Sequence, residues 1–144
     1  KSAFILIFVI LLYKKQKEYA YKCAGILVIS TLINNIVKVI VRRPRPEYIT
    51  VVENTFSYPS GHTMASVTLY GFLIYFILKS KISKTYKIIF SVILGIIPLL
   101  VGISRIYLGA HFFSDVFGGA LLSSMLLSSI DIIYDKTINR KKSK

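Results

Sequence analysis

Four long apolar blocks, each closed by a polar or basic stretch, constrain this chain more than any other feature. They cover residues 23–41, 63–78, 88–103 and 112–134. A bilayer span needs about 20 apolar residues, with roughly 17 to 25 tolerated. Two of the blocks reach that length alone, and two reach it once their polar caps are counted. With 54% hydrophobic residues in 144, the chain is too short for more than one domain and too apolar for an ordinary soluble one. The expected fold is all-α, a polytopic transmembrane helix bundle in a single domain over residues 1–144. A further apolar run at residues 2–12 is too short to span. It has no cleavage-site pattern and is followed at once by Lys14, Lys15 and Lys17. It reads as the end of a helix that begins before Lys1, so four full helices plus a partial one are expected, with an N-terminal part missing.

A net charge of +13 would suggest nucleic acid in a soluble protein, but its distribution argues for topology. Thirteen cations fall in the stretches 14–22, 79–87 and 136–144. These lie on one side if every block crosses once. Lys38, Arg42, Arg43, Arg45 and Arg105 fall on the other. By the positive-inside rule the lysine-rich side is cytoplasmic, which places the protein in the cytoplasmic membrane as a multi-pass chain. The expected partner is the bilayer, not nucleic acid. Cys23 has no second cysteine to pair with and reads as packing. No metal-ligand spacing is present.

Between the blocks, the connection 42–59 is long and carries Pro44, Pro46 and Pro59, whereas 104–110 is brief. Thr31, Asn34, Asn35 and Lys38 recur at helical spacing and predict one polar stripe facing other helices. In the last block, Gly119 with Ser123, and Ala120 with Ser124 and Ser128, predict close helix approach. Pro98 predicts a kink in the third block.

Three stretches put chemistry at helix mouths. Pro59-Ser60-Gly61-His62 opens a helix, with Ser60 as N-cap and Gly61 allowing close backbone approach. Read alone, this run fits an ordinary cap with an interfacial histidine as well as it fits an anion site at a helix start. Lys38 closes the polar stripe seven residues before Arg45. The Arg-Pro pairs 43–44 and 45–46 disfavour helix and turn the chain outward, so Arg45 can reach back towards Lys38. Snorkelling at the interface is the plainer account, and it suits Arg42 and Arg43 better than Lys38. Ser104-Arg105 ends one block. His111 opens the next, with Asp115 at i+4 on the same face. A carboxylate against one ring nitrogen would leave the other as a nucleophile. An interfacial ion pair is the alternative, set against the cost of a carboxylate in an apolar helix start.

Taken together, Lys38-x6-Arg45-Pro46, Pro59-Ser60-Gly61-His62 and Ser104-Arg105-x5-His111-x3-Asp115 resemble the three signatures of the type 2 phosphatidic acid phosphatase family. These are membrane lipid-phosphate phosphatases that share a site with vanadium haloperoxidases. All eleven specified positions are present. The resemblance implies a metal-independent, cofactor-free phosphatase acting through a phosphohistidine on His111. Asp115 would orient that ring and His62 would protonate the leaving oxygen. Lys38, Arg45, Arg105, the Ser60 hydroxyl and the Gly61 amide would hold the phosphate. The substrates it implies are membrane lipid phosphates, phosphatidylglycerol phosphate or undecaprenyl pyrophosphate, met on the extracytoplasmic face. A non-catalytic lipid-phosphate-binding protein would need only the cations, and a vanadate-dependent peroxidase would use the same cradle.

Overall fold

The computed structural model describes residues 17–47 and 53–142, with side chains described for 18–47 and 53–129. The apolar run at residues 2–12 lies outside them. Four helices follow in order: α1 Lys17–Val41, α2 Gly61–Lys79, α3 Lys84–Tyr107 and α4 Phe113–Lys142. No strand occurs among the described residues. α1, α2 and α3 are each long and apolar enough to cross a membrane. In α4 the apolar stretch Phe113–Ser129 is shorter than a span on its own. The helix itself runs on for 30 residues into the basic tail, longer than the apolar block 112–134 suggested. At about 1.5 Å per residue, α2 is roughly 28 Å long, so its two ends face opposite sides of a bilayer.

α2 is the central helix and packs against the other three. Its lower half meets α1 in an apolar core of Cys23, Ile26, Leu69 and Phe72, flanked by Tyr19, Leu27, Tyr75, Leu126 and Leu127. Near its N-terminus the packing turns polar. The Thr68 hydroxyl donates to Ser30 at 3.1 Å, and Asn34 Nδ2 donates to the Pro59 carbonyl at 3.2 Å. This refines the expected stripe on α1. The inward polar residues are Ser30, Asn34 and Lys38, at strict i, i+4 spacing, while Thr31 and Asn35 are exposed. Thr31 turns its hydroxyl back to the Leu27 carbonyl, as threonines on a helix surface do.

The small residues of α4 also divide. Gly119 lies under the α2 start, where a Cβ would meet the Ser60 carbonyl at 3.1 Å, and buried Ser123 bonds the Met64 carbonyl at 3.1 Å. Ser124 and Ser128 are exposed and bond only their own helix. So one of the two expected sets makes a helix contact. The aliphatic faces of α1 and α3 look outward, with Ile40 73% and Leu99 66% exposed. Apolar surface of that extent belongs against lipid.

Candidate active site

The connections 42–60 and 108–112 meet at one end of the bundle and are tied together by main-chain and side-chain bonds. α1 ends with Arg42 in the left-handed region (φ 48°), which throws the chain outward at Arg43-Pro44-Arg45-Pro46. The returning segment pairs with it. The Ser57 amide donates to the Arg43 carbonyl at 2.9 Å, and the Ser57 hydroxyl donates to the Pro44 carbonyl at 2.9 Å. Lys38, buried at the end of α1, donates its ammonium to the Phe56 carbonyl.

Arg45 stands at the centre of this loop. Its Nε donates to the Thr55 carbonyl at 2.7 Å, and Nη1 donates to the Ala110 carbonyl at 2.9 Å. Nη1 also lies 3.4 Å from His111 Nε2, while Nη2 pairs with Glu53 Oε2 at 2.9 Å. Arg45 thus turns to Ala110 and His111 and touches Lys38 only through its charge.

His111 is buried in the turn before α4. Its i, i+4 relation to Asp115 therefore joins a loop to a first helical turn rather than two places on one helix. Nδ1 lies 3.6 Å from Asp115 Oδ2, close enough for charge to act and too long for a hydrogen bond. Asp115 is fully buried and takes its bonds elsewhere. Oδ1 accepts from Arg43 Nη1 at 2.9 Å, and Oδ2 accepts from the Phe112 amide at 2.9 Å. The second bond is half of a capping box, in which a carboxylate in the first turn reaches back to the residue that precedes it. Burial, then the Arg45 and Lys38 charges, hold the His111 imidazole below the ordinary histidine range, against the opposing pull of Asp115. At neutral pH the ring is uncharged, with its Nε2 side turned to a cation.

Ser60 caps α2 as expected, accepting from the Thr63 amide at 3.4 Å and the Thr63 hydroxyl at 2.9 Å. Its own amide donates to the Asp115 carbonyl at 3.0 Å. A Cβ on Gly61 would meet Asn34 Oδ1 at 3.2 Å, so α1 crowds this glycine whether or not a ligand is bound. His62 is exposed on the first turn of α2, and Arg105, in the last turn of α3, is the charge that acts on it most strongly. The structure thus joins Lys38, Arg45, His111, Asp115 and Ser60 through one loop assembly, with His62 and Arg105 coupled beside it.

Two participants were missed in the sequence. Arg43, assigned there to snorkelling, pairs with Asp115, donates to Ser114 Oγ at 2.6 Å and lies 4.1 Å over the Phe112 ring. A signal was available: residues two apart in an extended run point to the same side, and prolines keep 43–46 extended. Glu53 carried no sequence signal.

A helical membrane protein with a buried neutral histidine ringed by fixed cations belongs to the class of phosphate-handling membrane enzymes. Comparison with known proteins agrees. The PAP2 superfamily profile matches residues 19–137. The chain is 34% identical to phosphatidylglycerophosphatase B of Bacillus subtilis, over 99% of this chain and 73% of that protein. It also superposes on a crystal structure of a transmembrane PAP2-type phosphatidylglycerolphosphate phosphatase from Bacillus subtilis. That match has a TM-score of 0.83 and 32% identity, over 95% of this chain and 69% of the other. The chain belongs to the PAP2 superfamily. It is a multi-pass membrane phosphatase, a phosphoric monoester hydrolase.

Proposed function

We propose that this phosphatase hydrolyses a lipid phosphate headgroup at the extracytoplasmic face of the cytoplasmic membrane, through a phosphohistidine on His111. The name of the Bacillus subtilis relative favours phosphatidylglycerol phosphate as substrate. The observation that carries the mechanism is the placement of His111, with Nε2 3.4 Å from the Arg45 guanidinium and Nδ1 turned to Asp115.

In the first step the Nε2 lone pair attacks phosphorus and the bond to the alcohol oxygen breaks. The leaving oxygen takes the electron pair and a proton from His62. As the imidazole becomes charged, the Asp115 carboxylate stabilises the proton on Nδ1. In the second step water attacks the phosphohistidine, His62 takes its proton, and the P–N bond breaks to release inorganic phosphate and neutral His111. Lys38, Arg45, Arg105, the Ser60 hydroxyl and the Gly61 amide hold the non-bridging oxygens, where fixed charge counts most in the transition state. Among the described residues no group of three His, Cys, Asp or Glu forms a metal-type cluster, and in this reading the cations neutralise the phosphate. The outward orientation is supported by the lysine-rich connection between α2 and α3, which lies at the opposite end of the bundle.

The test is to trap the phosphoenzyme. Rapid quenching of wild-type protein with radiolabelled lipid phosphate should give an acid-labile, base-stable adduct, absent from His111→Ala. With His62→Ala, loss of turnover should be larger for alkyl phosphates than for activated aryl phosphates, whose leaving groups need no proton. An acid-stable adduct would overturn the role of His111. A uniform loss would overturn that of His62.

A further inference from the structure

The site contains a carboxylate that the mechanism does not use. Glu53 comes from the connection 42–60 and binds Arg45 at 2.9 Å, with Arg45 only 9% exposed and Glu53 23%. Arg45 is the same guanidinium that faces His111. Thr55 Oγ1 accepts from the same Nη2 at 3.1 Å, so the Arg45 side chain is fixed while Glu53 sits on it. The Glu53 charge also acts at Lys38 and at His62, the group proposed to protonate the leaving oxygen. A carboxylate is a singly charged, planar stand-in for one edge of a phosphate, and it occupies the position where a phosphate oxygen would seek Arg45.

Counting charge in this space gives the consequence. The Arg43–Asp115 pair is internally neutral. Lys38, Arg45 and Arg105 bring three positive charges and Glu53 removes one, leaving two among the described residues. A phosphate monoester carries about −1.5 to −2 at neutral pH, which two charges balance. A pyrophosphate carries more negative charge, with its second phosphate attached directly on the leaving-group side.

We propose that Glu53 is a specificity-determining residue that suits the cradle to a single phosphate and disfavours a pyrophosphate. An entering phosphate displaces Glu53 from Arg45, and the carboxylate then stands at the rim on the His62 side. There it repels a second phosphate and accepts a hydrogen bond from an alcohol such as the glycerol of phosphatidylglycerol phosphate. The proposal rests on the phosphatase reading above and narrows its substrate.

The experiment compares kcat/KM for phosphatidylglycerol phosphate and undecaprenyl pyrophosphate in one detergent, for wild type, Glu53→Gln and Glu53→Asp. Glu53→Gln should raise the pyrophosphate-to-monoester ratio on the order of tenfold, the size one partly screened charge gives at a few ångströms. The rise should come mainly through KM, and Glu53→Asp should keep a ratio near wild type. An unchanged ratio in Glu53→Gln, with turnover intact, would overturn the role of Glu53 alone. A wild-type enzyme that forms no phosphohistidine would overturn the reading beneath it. Calorimetric binding of inorganic phosphate and inorganic pyrophosphate gives a second measurement that needs no turnover. In the His111→Ala background, Glu53→Gln should tighten pyrophosphate more than phosphate, and equal tightening of both would count against the proposal.

Discussion

Arg43 and Asp115 meet at 2.9 Å across 72 residues of sequence, and their pairing decides how the buried carboxylate is shared. One oxygen belongs to the guanidinium and the other to the Phe112 amide, so His111 feels Asp115 as a charge at 3.6 Å rather than as a hydrogen-bond acceptor. The site therefore holds His111, the proposed nucleophile, by packing and by field. As phosphorus is attacked and Nδ1–H becomes acidic, a shift of less than 1 Å would close that gap.

Removing the Arg43 side chain leaves a fully buried carboxylate without its cation. Arg43→Ala should cost about 1–3 kcal/mol of stability, less than breaking a wholly buried pair because the Arg43 side chain is 34% exposed. It should also lower kcat by on the order of a hundredfold, with KM little changed, because Asp115 and His111 lose their register. Arg43→Lys should fall between, since one ammonium lacks the guanidinium fork that serves both Ser114 and Asp115. Thermal unfolding in detergent together with steady-state kinetics checks this. A stable Arg43→Ala enzyme with normal kcat would contradict it.

The pH profile follows from the direction of the His111 shift. Attack needs the neutral ring, and burial with Arg45 and Lys38 keeps its pKa below the ordinary value, about 6.5. The acidic limb of kcat/KM should accordingly lie below that pH, with activity lost as pH falls through it. Lys38→Met removes a repelling cation and should move the limb upward. Asp115→Asn removes the attractive charge and should move it downward, alongside a fall in kcat. Shifts in the opposite directions would show that another group governs this limb.

Charge neutralisation by side chains predicts how inhibitors behave. Turnover should survive chelation by EDTA, and vanadate should inhibit competitively by taking the five-coordinate phosphorus position at His111. Lys38→Met should weaken vanadate by roughly tenfold or more, as loss of a charge-assisted contact does. Silencing by EDTA with rescue by magnesium would transfer the neutralising role to a metal.

Orientation can be read from intact cells. Cysteines replacing exposed Asn54, beside the site, and exposed Ser83, in the connection between α2 and α3, should label from opposite faces, Asn54 from outside. Labelling from one face only would break the alternation of the helices.

Block length and charge made the bundle legible because a bilayer accepts little else at those lengths. The signature residues were legible too, as three separate runs. Their assembly was not. The guanidinium on Asp115 comes from 72 residues earlier in the chain, and no local pattern shows that Arg43 will outcompete His111 for it. The stripe on α1 was misread by one residue in each turn because Thr31 and Asn35 are polar without being inward. Polarity alone does not identify a face when a hydroxyl can bond its own helix. Glu53 was invisible for a related reason: an acid in a proline-rich loop looks like a solvated charge until the fold brings Arg45 to it.

The bond from the Ser60 amide to the Asp115 carbonyl, with Gly119 beneath it, ties the start of α2 to the start of α4. His62 lies two residues beyond one side of this joint and His111 four residues before the other. Helices in a fluid bilayer rock and tilt as lipid thickness and lateral pressure change, and a site assembled only from helix positions would drift with them. Here His62 and His111, the acid and nucleophile proposed above, hang from a common hinge pin, so that swaying of the bundle would carry both together. In that reading the spacing of the two rings is set over a few bonds of backbone rather than by the lie of the helices in the membrane.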